Sequence, residues 1–369
     1  MANSRINPVV MPKWGLSMRE GKVTSWLVAD GTAINIGDAI LEIETDKIAG
    51  VVEATDTGVL RRRVGHADAT YPVKTLLGVI ADPAVSDAEI EAFVSTYVVP
   101  LAEAEESVEA PAHAFAETPT GTLRYAKRGD GGEDVLLLHG FGGDLDNWLF
   151  NIDALAEVAT VYALDLPGHG QSVKRMADPS LDSMTQAVVE FMDGIGLAKA
   201  HLVGHSMGGA IAMMLAARAP GRVKSLSLVC PAGLGPEIGG YIEAYLAAQG
   251  RRDLKPALEI LFADKGLVSR QLVDDVLKYR RLDGVEGFLK SLAGALFSNG
   301  RQRHVLAQEL SGRLPPTLVI WGRQDAVIPA AQAANLAGAK VHVIEDAGHM
   351  VFMEKAGEVN GLIRAHIGA

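Results

Sequence analysis

The chain predicts two folded units of different class: a small all-β sandwich over residues 5–81, and an α/β unit with a parallel sheet over residues 119–369. Three observations carry this. In the first stretch, short runs at 7–11, 21–28, 39–44, 48–53, 58–64 and 77–80 alternate apolar and polar residues between glycine turns, with no sustained helical period. In the second, continuous apolar runs at 135–138, 160–164, 200–203, 223–229, 317–320 and 340–344 alternate with helical runs, as parallel strands covered on both faces do. Residues 235–312 interrupt that alternation with helical runs at 241–248 and 267–279, so an inserted helical lid is expected. The third observation is compositional. Residues 82–118 are rich in alanine, glutamate and proline and hold no lysine or arginine from Pro83 to Thr118, which predicts an extended, self-repelling linker. Within it, Ser86-Asp87-Ala88-Glu89 is a capping-box pattern, and Ile90, Phe93, Val94, Tyr97 and Val98 share one helical face. A short helix is expected there, packed on its own chain or on a partner.

Composition narrows the class. Of the 369 residues, 48% are hydrophobic and 21% charged, the balance of a globular protein of about two domains. A formal net charge of −11 argues against nucleic acid as a partner, because phosphate needs a basic surface. Cys230 is the single cysteine, so no internal disulfide forms and a reducing compartment is expected. The first eight residues lack the apolar core of a signal peptide, and the run 210–217 is too short to span a bilayer. A cytoplasmic chain with no membrane association is the expectation.

The α/β unit is organised around Val203-Gly204-His205-Ser206-Met207-Gly208-Gly209. A serine between glycines, after a strand and before a helix, is held on a sharp turn that exposes its Oγ. The helix start that follows favours negative charge on a reacting oxygen. A nucleophile needs a base and an orienting acid. His349, in Asp346-Ala347-Gly348-His349-Met350, follows the last strand, and Asp325, in Trp321-Gly322-Arg323-Gln324-Asp325, follows the preceding one. Asp346 is the rival acid. Its closeness to His349 in sequence suits strand-end geometry poorly, so Asp325 is preferred. The turn His139-Gly140-Phe141-Gly142-Gly143 follows the strand at 135–138, so the N–H of Phe141 and the N–H of Met207 form the expected oxyanion hole.

These motifs, in the order Ser206, Asp325, His349, resemble the α/β-hydrolases, and the resemblance covers the whole second unit. Asp165-Leu166-Pro167-Gly168-His169-Gly170-Gln171-Ser172 is similar to a structural loop of that fold, which makes His169 a loop-fixing residue. His139 and His205 are expected to bond locally, and Cys230 to be a small core residue. His201, His304 and His342 have no metal-ligand spacing, so no metal is expected.

In the first unit, Glu42-Ile43-Glu44-Thr45-Asp46-Lys47-Ile48 sets Lys47 at a tight turn between two strands. A lysine there is ordinarily solvated surface. The segment resembles the lipoyl domain of 2-oxo-acid dehydrogenase complexes, whose attachment site is Glu-Thr-Asp-Lys at a hairpin. Gly31, sixteen residues before Lys47, Gly58, eleven after it, and the opening Met11-Pro12-Lys13-Trp14-Gly15-Leu16-Ser17-Met18 fit the same pattern. The related biotin carriers use Met-Lys-Met, from which Asp46-Lys47-Ile48 departs. The resemblance therefore implies lipoate on Lys47.

Both units together resemble the acyltransferase components of acetoin dehydrogenase complexes, in which a lipoyl domain precedes an α/β-hydrolase domain. That resemblance implies acetyl transfer from lipoate to coenzyme A, with a thiamine-diphosphate-dependent acetoin-cleaving enzyme and a dihydrolipoamide dehydrogenase as partners. The alternative is a lipoylated serine hydrolase or thioesterase that gives the acyl group to water. Other dehydrogenase-complex acyltransferases use His-x-x-x-Asp-Gly; here Tyr279 stands in the histidine's place before Asp283-Gly284. Arg251, Arg252, Lys255, Arg270, Lys278, Arg280 and Arg281 in the lid are ordinary surface cations, a subset of which could hold coenzyme A phosphates. Homo-oligomerisation stays open.

Overall fold

The structure, a computed structural model, describes residues 5–12, 18–45, 49–97, 113–310 and 312–368. It divides into two compact units, Met1–Ala110 and Pro111–Ala369.

The first unit is a sandwich of two antiparallel four-stranded sheets. Its strands are β1 (Ile6–Val10), β2 (Glu20–Trp26), β3 (Ala33–Ile34), β4 (Ala39–Glu44), β5 (Ala49–Glu53), β6 (Gly58–Arg63), β7 (Thr70–Pro72) and β8 (Leu76–Ala81). One sheet runs β1-β8-β6-β3 and the other β5-β4-β2-β7. Met11, Val23, Leu41, Ile43, Leu60 and Leu77 are fully buried between them. The two shortest strands, β3 and β7, have no signature in the sequence, because two or three residues are too few to show a period.

Helix α1 (Asp87–Thr96) belongs to this unit. The capping box forms: the Glu89 N–H donates to Ser86 Oγ and the Ser86 N–H to Glu89 Oε2. Ile90, Phe93, Val94 and Tyr97 pack on Ile6, Leu76, Val79 and Val85. Strand β8 is buried at every position because the sandwich core lies on one face and α1 on the other, which explains its unbroken apolar run. Arg61 pairs with Asp87, and Arg62 with Glu91, at the rim of this contact. The helix therefore packs on its own chain. Val98 on the same face, and the rest of the expected linker to residue 112, lie outside the described residues.

The second unit is built on an eight-stranded sheet, ordered β18-β17-β14-β13-β11-β12-β10-β9. Its strands are β9 (Ala114–Thr118), β10 (Gly121–Arg128), β11 (Asp134–Leu138), β12 (Thr160–Leu164), β13 (Ala200–His205), β14 (Val223–Val229), β17 (Thr317–Gly322) and β18 (Lys340–Ile344). From β12 to β18 neighbouring strands are parallel, while β9 and β10 are antiparallel. Helices α3 (Leu181–Gly194) and α4 (Met207–Arg218) pack together over part of the sheet, and α2 (Ile152–Ala156) packs with α11 (Ala356–Ile367) over another part.

Strand β9 corrects one boundary. Residues 114–118 read as linker from composition, yet they pair with β10 across a tight turn, Thr118 opposite Gly121. An edge strand held by backbone bonds, with Ala116 its one buried residue, needs little apolar sequence.

Between β14 and β17 the chain leaves the sheet through α5 (Tyr241–Ala247), α6 (Arg251–Glu259), α7 (Arg270–Arg280) and α8 (Val285–Leu296). It then makes a small hairpin of β15 (Phe297–Ser298) and β16 (Arg301–Gln302), followed by α9 (Ala307–Leu310). The expected helical insertion is this segment. After β18 the short α10 (Val351–Glu354) precedes α11. Among the described residues no helix is long and apolar enough to cross a membrane.

Candidate active site

Strand β13 is buried at every position and ends at His205; the next residue turns the chain. Ser206 adopts φ 53° and ψ −116°, a region that costs a side-chain-bearing residue energy and persists only where its surroundings impose it. The Ser206 N–H donates to Val229 O (3.0 Å), and Ser206 O accepts from the N–H groups of Gly209 and Ala232 (both 2.9 Å). The hydroxyl does not cap α4. Glycine is required beside it for want of space. A Cβ on Gly208 would lie 2.2 Å from Leu138 O, and one on Gly204 2.4 Å from Gly208 O.

His349 lies buried in the loop between β18 and α10. Its Nδ1 is 2.8 Å from Asp325 Oδ2. The same oxygen accepts from Trp321 Nε1 (2.9 Å), and Oδ1 accepts from the N–H groups of Val327 (2.8 Å) and Ile328 (2.9 Å). Burial pushes the Asp325 carboxyl up, but His349 and the two amides outweigh it and hold it below the ordinary carboxylate value. An ionised Asp325 can only accept, so the ring is held with Nδ1–H donating and Nε2 free to take a proton. Asp346, the rival acid, is exposed, at φ 52°. Gly322 permits this arrangement by close approach rather than by a special bend. A Cβ there would lie 2.1 Å from Gly348 O.

The turn after β11 closes the other side. A Cβ on Gly140 would come within 3.1 Å of Ser206 Cβ, so the Phe141 peptide lies against the elbow. The Gly142 N–H donates to His169 Nε2 (3.1 Å), while His169 Nδ1–H meets Pro167 O (2.9 Å). His139 accepts from the Leu166 N–H (3.0 Å) and donates to Gly140 O (2.8 Å). Burial pushes His139 down to about 4 and His169 to about 3, so both stay neutral braces of this turn. His205, also pushed far down by burial, bonds through Nε2 to His349 O (3.0 Å), and its ring lies tilted against that of His349 with centroids 4.7 Å apart.

The family described as "alpha/beta hydrolase fold" matches residues 135–356, and that described as "Biotin-requiring enzyme" matches residues 7–80. A dihydrolipoyllysine-residue acetyltransferase component of the acetoin cleaving system from Cupriavidus necator is 54% identical over 98% of both chains. The same component from Pseudomonas putida is 47% identical over 97% of both. The chain belongs to this acetyltransferase-component family. A solved meta-cleavage product hydrolase from Pseudomonas fluorescens is 26% identical, with TM-score 0.62, and covers 69% of this chain and 96% of its own.

In this acyltransferase family the first unit is a lipoyl domain, and covalent lipoate is the cofactor such a domain bears. Strands β4 and β5, which flank the segment that the sequence assigns to the attachment site, pair antiparallel with Glu44 opposite Ala49. Lys47 itself lies outside the described residues, as do residues 13–17 of the opening turn.

Three neighbours of the site carry no sequence signal. Cys230, at φ 43°, is buried with its thiol within 4.8 Å of the Asp325 and His349 ligand atoms. Glu354 accepts from the N–H groups of Gly348 (2.6 Å), Ala263 (2.8 Å) and Asp264 (3.1 Å), tying the His349 loop to the lid. Tyr245 of the lid is fully buried against Phe141, and a Cβ on Gly142 would lie 3.1 Å from its hydroxyl. Each is placed by contacts far apart in sequence. The lid cations are mostly engaged: Arg251 with Asp274, Lys255 with Glu259, Lys278 with Asp275, and Arg280 with the carbonyls of Leu246 and Ala248. At the opposite end of the sheet His201 bonds Ser225 Oγ (2.7 Å) and Glu133 (2.9 Å), a serine, a histidine and a glutamate without an elbow or a helix start.

Proposed function

We propose that this chain moves an acetyl group from a lipoyl arm on Lys47 to coenzyme A within an acetoin-cleaving complex, using Ser206, His349 and Asp325. The observation that carries the reading is the strained Ser206 on the strand-to-helix turn, in a fold that also presents the hydrogen-bonded His349–Asp325 pair. When bound, lipoate supplies the dithiolane that takes up the acetyl group and offers it as a thioester. Ser206 Oγ attacks the thioester carbonyl as His349 Nε2 takes its proton, and Asp325 stabilises the imidazolium. The N–H groups of Phe141 and Met207 hold the oxyanion, a contribution of about 3 kcal/mol per donor. His349 then gives its proton to the departing thiol. In the second half His349 takes the proton of the coenzyme A thiol, whose sulfur attacks the acyl-serine, and Ser206 leaves with the proton returned to it. A thiamine-diphosphate-dependent enzyme loads the arm, and a dihydrolipoamide dehydrogenase reoxidises it.

A second reading gives the acyl group to water, and it is favoured by the likeness of the second unit to a meta-cleavage product hydrolase. Full-length protein incubated with S-acetyl-dihydrolipoamide separates the two. Acetyl-CoA formed on adding coenzyme A, with little acetate in its absence, is the expected result. Equal acetate release with and without coenzyme A would leave a hydrolase. Ser206→Ala should abolish transfer, while Lys47→Arg should abolish complex turnover and spare transfer from the free thioester.

A further inference from the structure

Beside the elbow, in the second unit, lies a cavity of about 20 Å³. Met207 forms one wall and Ala210, one helical turn further along α4, continues it. Ala232, whose N–H donates to Ser206 O, forms another. Leu181, at the start of α3, and Leu296, at the end of α8, limit its extent, and both are buried. Phe297 forms a further wall and meets the Phe141 ring edge-on, with centroids 6.2 Å apart. The cavity thus adjoins one expected oxyanion donor directly and the other through a single ring. Gln302 also borders it, but its amide is engaged elsewhere, accepting from the Gly233 N–H (2.7 Å) and donating to Glu237 O (3.0 Å). His304 also lines it, so the space is largely but not wholly apolar, and it holds about one water-sized group, hence a methyl and little more.

We infer that this cavity is the acyl subsite of the transfer reaction and that Leu181 and Leu296 restrict the acyl group to two carbons. The inference rests on the acyl-transfer reading above. A carbonyl whose oxygen sits between the Phe141 and Met207 amides has two substituents, the sulfur and the acyl carbon. The sulfur must face His349 to be protonated, so the acyl carbon turns away from it, toward α4. An acetyl methyl fills the cavity. Each added methylene must displace a buried leucine or leave the carbonyl short of the two amides.

The test uses full-length lipoylated protein and free S-acyl-dihydrolipoamides with acetyl, butyryl and hexanoyl groups. Thiol release and acyl-CoA formation are followed separately. Wild type should lose about tenfold or more in kcat/KM for thiol release with each added methylene. Leu296→Ala should raise the butyryl-to-acetyl ratio at least tenfold, and Leu181→Ala, from the other wall, provides the same readout should the first variant fold poorly. Wild-type release of the butyryl thioester within threefold of acetyl would overturn the inference. So would folded leucine variants with an unchanged ratio. If thiol release discriminates chain length while acetate forms in place of acetyl-CoA, the cavity assignment stands and the transferase reading alone falls.

Discussion

A methyl group on Gly208 would sit 2.2 Å from the Leu138 carbonyl oxygen, in backbone that cannot yield without moving β11 away from the elbow. Gly208→Ala is therefore expected to cost about 2–3 kcal/mol in stability and to remove most transfer activity, because the oxyanion turn shifts with β11. Thermal unfolding and steady-state rates on the purified variant check both. Glu354 acts at longer reach. Its carboxylate gathers the amides of Gly348, Ala263 and Asp264, so Glu354→Ala leaves three donors unpaired beside His349. Lower kcat with little change in KM is the expected signature, since His349 loses its placement while the acyl subsite keeps its walls. A proportional rise in KM with kcat unchanged would mean that Glu354 serves binding instead.

At the scale of elements, helix α1 stands or falls with its cap. Ten residues are too few for a stable isolated helix, so α1 depends on Ser86, Glu89 and its contacts with β8. Ser86→Ala should cost about 1 kcal/mol and speed amide hydrogen exchange along Leu76–Ala81, with strands of the second unit unaffected. Unchanged exchange in β8 would show that the sandwich protects that strand without the helix. The elements also differ in how far they could be read in advance. The capping box and the apolar face of α1 lie within a dozen consecutive residues, and local spacing suffices for them. Strand β9 could not be read in this way, because its stability comes from pairing with β10 and its sequence resembles the acidic linker before it.

For the whole molecule, acid should act through neutral buried histidines. An unfolded histidine binds a proton near its ordinary value, 6.5, whereas His139 binds one only near 4 and His169 near 3. Between these values the unfolded chain holds more protons, so stability is fully present above about pH 6.5 and is lost as pH falls. Each of the two contributes a loss of up to about 1.4 kcal/mol per pH unit in that window. Urea midpoints of the second unit measured from pH 7 to pH 5 should fall steadily, and His139→Gln should flatten the slope. A midpoint independent of pH over that range would contradict the neutral assignment.

What the sequence determined by itself is whatever short spacing encodes: the glycines crowding Ser206, the order of Ser206, Asp325 and His349 along the chain, the Glu-Thr-Asp-Lys turn, and the division into an all-β and an α/β unit. Steric exclusion and hydrogen-bond reach over a few residues leave little freedom in such motifs. Tertiary structure alone decided where Glu354 and Cys230 lie, that α1 covers β8, and how small the space beside Met207 is. Those outcomes depend on strand ends and lid helices brought together from separate parts of the chain. A cavity in particular is the shape left by all of its walls at once, and no local pattern records it.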